Sequence, residues 1–338
     1  MKSLKLSVLD QSVSLAGSSE DAAIRDTLSL AEHCERLGYS RFWLSEHHGL
    51  PTIVGSAPEI LMAAIAATTK RIRIGSAGVM LPHYSSLKVA EQFRVLEALA
   101  PGRVDLGLGR APGSDRLTAR ALNPYANAAE DFPRQVVELM HWVEGRALPD
   151  EHPFAAIGAY PQGPTSPEVW ILGSSNYGAQ LAAHLGLPYA YAYFFTDGAG
   201  TEEALAIYRR YYRPSERYPA PVATICVWAL AAESDERAWH LFKTREAWRV
   251  GFERGLRPPL VSPEAAAAAA RDYDDADRAR IDALRRRAFV GTPDAVVAKL
   301  RALAADLALD EIVVNTWTYD HEARRRSYEL LFAANASA

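Results

Sequence analysis

The segment Glu46-His47-His48 places a carboxylate beside two imidazoles, directly after the apolar run Arg41–Leu44. Imidazole is the side chain that transfers protons most readily near neutral pH, so the segment is a candidate for acid–base or hydrogen-bonding chemistry. A metal site is disfavoured, because neighbouring side chains of an extended segment point to opposite faces and cannot easily grip one ion. For either imidazole taken alone, a purely structural histidine stays open.

Two further segments offer groups that bind anions. Arg110 directly follows a predicted core strand, where an unpaired guanidinium would be costly, so we expect a carboxylate or phosphate partner for it. Gly173-Ser174-Ser175 precedes a predicted helix, whose free N–H groups and positive end suit an anion. Ordinary N-capping by a serine explains the second segment equally well on its own. Together the two segments predict one phosphate-binding cradle.

Alternating strand-like and helix-like segments must position these groups. Eight apolar runs are each followed by a segment with helical spacing. The predicted strands are Leu4–Leu9, Arg41–Leu44, Arg71–Leu81, Val104–Leu108, Val169–Leu172, Tyr189–Phe194, Val222–Leu230 and Glu311–Asn315. Eight such pairs favour a (β/α)8 TIM barrel over a doubly wound sheet. Active sites of such barrels lie at the C-terminal strand ends, where all three polar segments fall.

Two segments break the alternation, and we expect insertions at the C-terminal face of the barrel. Asn123–Pro167 contains a long connection rich in Pro and Gly, and Gly255–Ala288 separates the seventh strand from the final repeat. Within the latter, Ser262–Glu264 precedes six alanines and predicts a capped helix. The charges of Arg271–Arg287 are typical of a solvent-exposed helix face, with a mobile lid as the alternative. We expect residues 1–338 to form a single barrel domain.

Composition indicates a soluble globular protein rather than a nucleic-acid-binding or membrane protein. The 338 residues are 49% hydrophobic and 23% charged, with a formal net charge of −4 and no basic stripe. No stretch approaches the roughly 20 apolar residues of a membrane span, and the N-terminus alternates like a strand rather than a signal peptide. Cys34 and Cys226 lie far apart without metal-binding spacing, which predicts the reducing cytoplasm.

Seven segments resemble, in the same order, the bacterial luciferase-like family of flavin-dependent monooxygenases. They are Trp43–His48, Gly75–Pro82, Ala90–Gln92, Pro101–Asp115, Leu172–Ser175, Leu185–Pro188 and Val290–Pro293. The resemblance covers nearly the whole chain, and the ordered set is more specific than any one motif. It is closest to a subgroup of single-chain oxidoreductases marked by Gly-Arg-Ala-Pro-Gly-Ser-Asp, which stands here at Gly109–Asp115.

The resemblance implies a reduced FMN in the mouth of the barrel. Its phosphate would be held by the arginine after the fourth strand and by the turn after the fifth, and a non-prolyl cis peptide would lie beneath the isoalloxazine ring. The residues so assigned to the cofactor are Ala77, Gly78, Arg110, Gly173, Ser174, Ser175 and Gly178.

The resemblance also implies a reaction. Reduced FMN, delivered by a separate reductase, would react with O2 to give a flavin C4a-hydroperoxide that oxygenates an unidentified small organic substrate. His47 would act at the flavin, while Glu46 and His48 set its position and charge. Aromatic residues at the C-terminal end of the sixth strand either line the substrate pocket or belong to the barrel core. These residues are Tyr191, Tyr193, Phe194 and Phe195.

Two other functions stay open at this stage. Some branches of the superfamily use the deazaflavin coenzyme F420 for hydride transfer, which would make this chain a dehydrogenase or reductase. Others bind flavin without turnover of their own. The resemblance further implies a homodimer formed by the helices after the second and third strands, and the alanine-rich segment Ala57–Thr69 would allow close helix approach.

Overall fold

The computed structural model describes residues 4–111, 114–124 and 128–337. The strands in these ranges are β1 (Lys5–Asp10), β2 (Arg41–Leu44), β3 (Arg73–Met80), β4 (Val104–Gly109), β5 (Glu168–Gly173), β6 (Tyr189–Tyr191), β7 (Ala223–Ala231), β8 (Phe289–Gly291) and β9 (Glu311–Asn315). The α-helices are α1 (Glu20–Leu37), α2 (Pro58–Thr68), α3 (Ser86–Leu99), α4 (Arg116–Leu122), α5 (Ala128–Val143), α6 (Asn176–Leu185), α7 (Tyr193–Thr196), α8 (Thr201–Tyr211), α9 (Asp235–Glu253), α10 (Pro263–Ala269), α11 (Asp275–Arg286), α12 (Pro293–Asp306) and α13 (His321–Ser337). None of these helices is long and apolar enough to cross a membrane.

Eight of the described strands close into a parallel barrel. The strands run in chain order from β1 to β7, and β9 then pairs with both β7 and β1 to close the ring. Strands buried on both faces need continuous apolar runs, which is what the sequence supplies. The predicted (β/α)8 TIM barrel is therefore confirmed. The parallel direction brings all eight C-terminal strand ends to one rim.

The structure differs from the sequence-based strands at two places. A ninth short strand, β8, pairs with the end of β7 outside the barrel ring. The sixth strand ends at Tyr191 instead of Phe194, because residues Tyr193–Thr196 form the helical turn α7. A short apolar run does not distinguish a buried strand from a buried helix, so periodicity could not locate this boundary.

The two expected insertions are present, with secondary structure of their own. In Asn123–Pro167, the helix α5 spans Ala128–Val143, and residues 125–127 lie outside the described ranges. In Gly255–Ala288, the hydroxyl of Ser262 accepts a hydrogen bond from the N–H of Ala265 and caps α10, as predicted. Leu260 exchanges backbone hydrogen bonds with the loop after β1. That this segment acts as a mobile lid stays a prediction.

The N-terminal end of the barrel is closed by a layer of charged side chains. Arg41 pairs with Asp105 at 2.8 Å, Glu311 at 3.1 Å and Glu168 at 3.2 Å. Arg73 pairs with the second oxygen of Asp105 at 2.5 Å and with Glu168 at 3.1 Å. Asp105 is fully buried and joins both guanidinium groups, so it links β2, β3 and β4 at this end.

We expect Asp105→Ala to lower the free energy of unfolding by about 3–5 kcal/mol, because two largely buried guanidinium groups would lose their shared partner. Glu233→Ala is the matched control, since Glu233 pairs with Arg326 where both side chains are at least half exposed. That change should cost less than about 1 kcal/mol. Denaturant unfolding at neutral pH measures both. Equal losses in the two variants would contradict a structural role for the charged layer.

Candidate active site

Glu46 holds the segment after β2 against the end of β3. Its Oε2 accepts a hydrogen bond from the backbone N–H of Met80 at 3.2 Å. Its Oε1 accepts one from the hydroxyl of Tyr84 at 2.7 Å and lies 2.8 Å from Nε2 of His48. Burial, followed by the nearby Glu46 carboxylate, raises the pKa of Tyr84. Both carboxylate oxygens are thus engaged within the protein.

The two neighbouring histidines face different surroundings, as expected for an extended segment. His48 pairs with Glu46 and does not line the cavity described below. His47 lines it, and its Nδ1 lies 3.2 Å from the hydroxyl of Ser45. Loss of solvent lowers the pKa of His47 to about 4, so the imidazole is neutral at pH 7. Within the described ranges, no group of three or more His, Cys, Asp or Glu side chains could hold a metal ion.

The peptide bond between Ala77 and Gly78 is cis, which confirms the expectation from the family resemblance. It lies where the pairing of β3 with β4 shifts register between Ser76 and Val79. A Cβ atom on Gly78 would lie 2.7 Å from the carbonyl oxygen of Gly107. The two strands therefore need glycine here, and they present bare backbone to the cavity.

Arg110 leaves the barrel at the end of β4 and is exposed to solvent. The premise that an unpaired guanidinium would be costly at this position was therefore wrong, while a phosphate partner for Arg110 stays a prediction. Its guanidinium carbon lies 3.8 Å from the ring centroid of Tyr177, and no carboxylate of the described residues lies within ion-pair distance. Pro112 and Gly113, which belong to the same motif, lie outside the described residues.

The turn after β5 connects this strand to α6 through Ser174 and Ser175. Ser175 is the N-cap residue of α6, yet its side chain makes no capping hydrogen bond, so ordinary N-capping does not explain the serine. The hydroxyl of Tyr191 donates to the carbonyl oxygen of Ser174 at 3.3 Å and supports the turn from below. A Cβ atom on Gly178 would lie 3.7 Å from the Cα of Gly173, which shows how closely α6 approaches the end of β5.

These groups surround one cavity of about 320 Å³ at the C-terminal rim, the first cavity. The predicted site residues that line it are Glu46, His47, Ala77, Gly78, Arg110, Gly173, Ser174, Ser175 and Gly178. Of the aromatic residues after the sixth strand, Tyr191, Phe194 and Phe195 line it, while Tyr193 packs against Phe289. Its size and mainly apolar wall are typical of a small-molecule site.

A second cavity of about 600 Å³ adjoins the first, and sequence reasoning missed it. The two cavities share Gln11, His47, Phe194 and Phe195. Its wall contains Trp228, Trp248, Trp317 and Arg245, which come from β7, α9 and the segment after β9. The position of Trp317 after the last strand was the available signal. Arg245 lies in the middle of a helix, where a sequence pattern does not distinguish an inward-pointing arginine from a surface one.

Comparison with known proteins agrees with this architecture. A family model described as luciferase-like monooxygenase matches residues 4–311. The chain is 43% identical to the uncharacterized protein YwcH of Bacillus subtilis, over 98% of this chain and 99% of YwcH. It is 37% identical to the N-acetyl-S-alkylcysteine monooxygenase of the same organism, over 99% of both chains.

Solved structures show the same fold. Apo-MsnO8 is 35% identical and superposes with a TM-score of 0.89 over 98% of both chains. An F420-dependent secondary alcohol dehydrogenase, 14% identical with a TM-score of 0.71 over 99% of both chains, shares the fold alone. With a family model across most of its length and full-length relatives above 30% identity, the chain belongs to the luciferase-like monooxygenase family of oxidoreductases.

Proposed function

We propose that this protein is a flavin-dependent monooxygenase that uses reduced FMN and O2 to oxygenate a small organic substrate. The observation that carries the proposal is the composition of the first cavity. Its wall contains Arg110, unpaired among the described residues, beside the start of α6, and it also contains the neutral imidazole of His47. The relative named N-acetyl-S-alkylcysteine monooxygenase, similar over the full length, supports the same reaction class.

The residues of the first cavity fit a flavin mononucleotide. A phosphate dianion is bound by hydrogen-bond donors that no neighbouring carboxylate already occupies. The exposed Arg110 has no carboxylate within ion-pair distance among the described residues. Ser174 and Ser175 add hydroxyl groups at the start of α6, where the helix end favours negative charge. The bare backbone at Ala77 and Gly78 suits a flat ring system. These residues would hold the cofactor.

Reduced FMN, when bound, supplies the electrons that activate O2 for transfer of one oxygen atom to the substrate. His47 is suited to hold or pass a proton there, because its Nδ1 faces Ser45 while Nε2 has no hydrogen-bond partner in the described part of the chain. Glu46 positions this segment through Met80 and Tyr84. The apolar wall of the cavity excludes water from the reaction.

We further propose that a separate reductase supplies reduced FMN and that two copies of the chain form a homodimer through α2 and α3. Both helices expose large apolar side chains, with Ile60 at 66%, Leu99 at 57% and Val95 at 48% of their full accessible surface. Gln92 of α3 donates a hydrogen bond to Glu59 of α2 at 3.3 Å, which connects the two helices beneath that surface.

Anaerobic titration with reduced FMN tests the cofactor assignment. Wild type should bind, and Arg110→Ala should weaken binding about 10- to 100-fold, because charge-assisted hydrogen bonds to the phosphate are lost. Arg116→Ala removes an exposed arginine that lines neither cavity and should leave binding unchanged. Equal affinity in wild type and Arg110→Ala would contradict the phosphate site.

A second stage tests the reaction class. After mixing with O2, wild type should reoxidise bound FMN on a different time course from free reduced FMN, and with a reductase present it should form an oxygenated product. Hydride transfer with F420 in the absence of O2, without binding of FMN, would instead establish the deazaflavin dehydrogenase. FMN binding without any effect on reoxidation or any product would establish a flavin-binding protein.

The depressed pKa of His47 predicts a pH-dependent stability. The unfolded imidazole has a pKa of about 6.5 and binds a proton that the folded state, at about 4, resists. Between these values the unfolded state holds more protons, so the free energy of unfolding falls as the pH is lowered. From pH 7 to pH 5, wild type should lose about 1–2 kcal/mol more than His47→Gln. If the free energy of unfolding changed equally with pH in the two proteins, a neutral and desolvated His47 would be contradicted.

Light scattering coupled to size exclusion tests the homodimer. Wild type should elute as a dimer at micromolar concentration, and Ile60→Asp should shift it towards monomer, because a buried carboxylate without a partner opposes association. Leu117→Asp alters an apolar residue on α4 that is 78% exposed, and it should leave the dimer intact. A wild-type monomer would overturn the assignment.

A further inference from the structure

Arg245 is a buried cation without an anion. It lies on α9 and is 3% exposed, and its Nε and Nη1 atoms are enclosed without a hydrogen-bond partner in the described ranges. Its guanidinium carbon lies 4.5 Å, 5.0 Å and 5.8 Å from the ring centroids of Trp228, Trp248 and Trp317. The arginine thus stands among three indole rings in the wall of the second cavity.

The aromatic contacts do not offset the loss of water around this guanidinium. Cation–π contacts contribute less than the several kcal/mol by which burial of an unpaired charge is unfavourable. The negative charge of Asp197 stabilises the protonated form of Arg245 from a distance. The positive charge of Arg249, one turn along α9, destabilises that form. Burial lowers the pKa of Arg245 to about 9, which leaves it charged at neutral pH. The position therefore favours an anion, and the described residues do not provide one within ion-pair distance.

The wall around Arg245 offers further hydrogen-bond donors. The indole N–H groups of Trp228 and Trp317 are also enclosed without a hydrogen-bond partner in the described ranges. Trp248 has its partner, the hydroxyl of Thr52 at 3.1 Å. A carboxylate carries two oxygens that accept hydrogen bonds from a guanidinium and from indole N–H groups.

The charge of the remaining wall agrees with an anionic occupant. Arg249 and Arg257 also line the second cavity, with Arg249 paired to Glu253 at 2.8 Å. Asp115 is the carboxylate among the lining residues, and it already accepts hydrogen bonds from the start of α4. Positive charge therefore exceeds negative charge around the space.

We propose that Arg245, with Trp228 and Trp317, binds a carboxylate group of the substrate, so that the substrate class is organic acids with an apolar portion. His47 lines both cavities, and an acid held at Arg245 can extend its apolar portion past Phe194 and Phe195 towards the first cavity. The inference rests on the proposed function in taking the second cavity as the substrate subsite.

Isothermal titration calorimetry with the full-length protein tests the site directly. The probes are the straight-chain monocarboxylates from butanoate to decanoate and the matching primary amides, each titrated with and without oxidised FMN. At least one carboxylate should bind tighter than its amide by about 10- to 100-fold, as expected for charge-assisted hydrogen bonds. Arg245→Gln should remove that preference.

Three control variants distinguish the acid site from the flavin site and from a general effect of arginine loss. Arg237→Gln changes an exposed arginine on the same helix and should keep the preference for carboxylates. Arg110→Ala should also keep it, even where it loses FMN, so failure of the flavin site and failure of the acid site are distinguishable. Trp317→Phe keeps an aromatic ring but removes one donor, and it should weaken carboxylate binding by a smaller factor than Arg245→Gln.

Two results would overturn the proposal. One is equal binding of carboxylates and amides across the series, including no binding of either. The other is a carboxylate preference that survives in a folded Arg245→Gln protein. A lower melting temperature of ligand-free Arg245→Gln, together with that surviving preference, would identify Arg245 as a structural cation.

Discussion

The close approach of β3 and β4 is the constraint on which the site depends. At Gly78 and Gly107 the two backbones leave no room for a side chain, since a Cβ on Gly107 would lie 2.1 Å from the carbonyl oxygen of Ser76. The hydroxyl of Ser76 bonds both the N–H and the carbonyl oxygen of Gly107 and fixes the pair. Beyond this point β3 resumes at Val79 with a shifted register, which brings the N–H of Met80 to Glu46. The close approach of β3 and β4 therefore accounts both for the backbone wall of the first cavity and for the position of Glu46.

Hydrogen bonding separates the polar groups of the rim into two kinds. Glu46 and His48 satisfy one another and Tyr84, so they shape the site without a ligand. Arg110 and Arg245 lack an ion partner within the described ranges and face cavities instead. A folded chain keeps unpaired donors at a cost in stability, which a bound ligand removes. Under the proposed function, the paired side chains would position the site, and the unpaired arginines would bind substrate or cofactor.

The sequence predicted the barrel because apolar strand-like runs alternate eight times with segments that have the spacing of a helix. It could not place the end of β6 or find β8, since three-residue strands carry too little pattern. The cis peptide at Ala77–Gly78 came from family resemblance, and no local pattern of small residues would have required it. Arg245 was missed for a physical reason as well. Its role depends on three tryptophans, two of them from distant strand ends, that only the fold brings together.

The two arginines lie at different parts of the joined space, and His47 belongs to both cavities. Arg110 follows β4 and is open to solvent, as a site for an exchanging cofactor phosphate requires, because the anion can enter and leave without dehydrating a buried cation. Arg245 is enclosed, so an anion there must lose its water and is held with directional hydrogen bonds. An exposed arginine allows a bound anion to exchange repeatedly, whereas an enclosed arginine discriminates among the anions that could bind to it. Under the proposed function, this difference in burial would give the two arginines separate tasks, and His47 would lie at the junction where flavin and substrate meet.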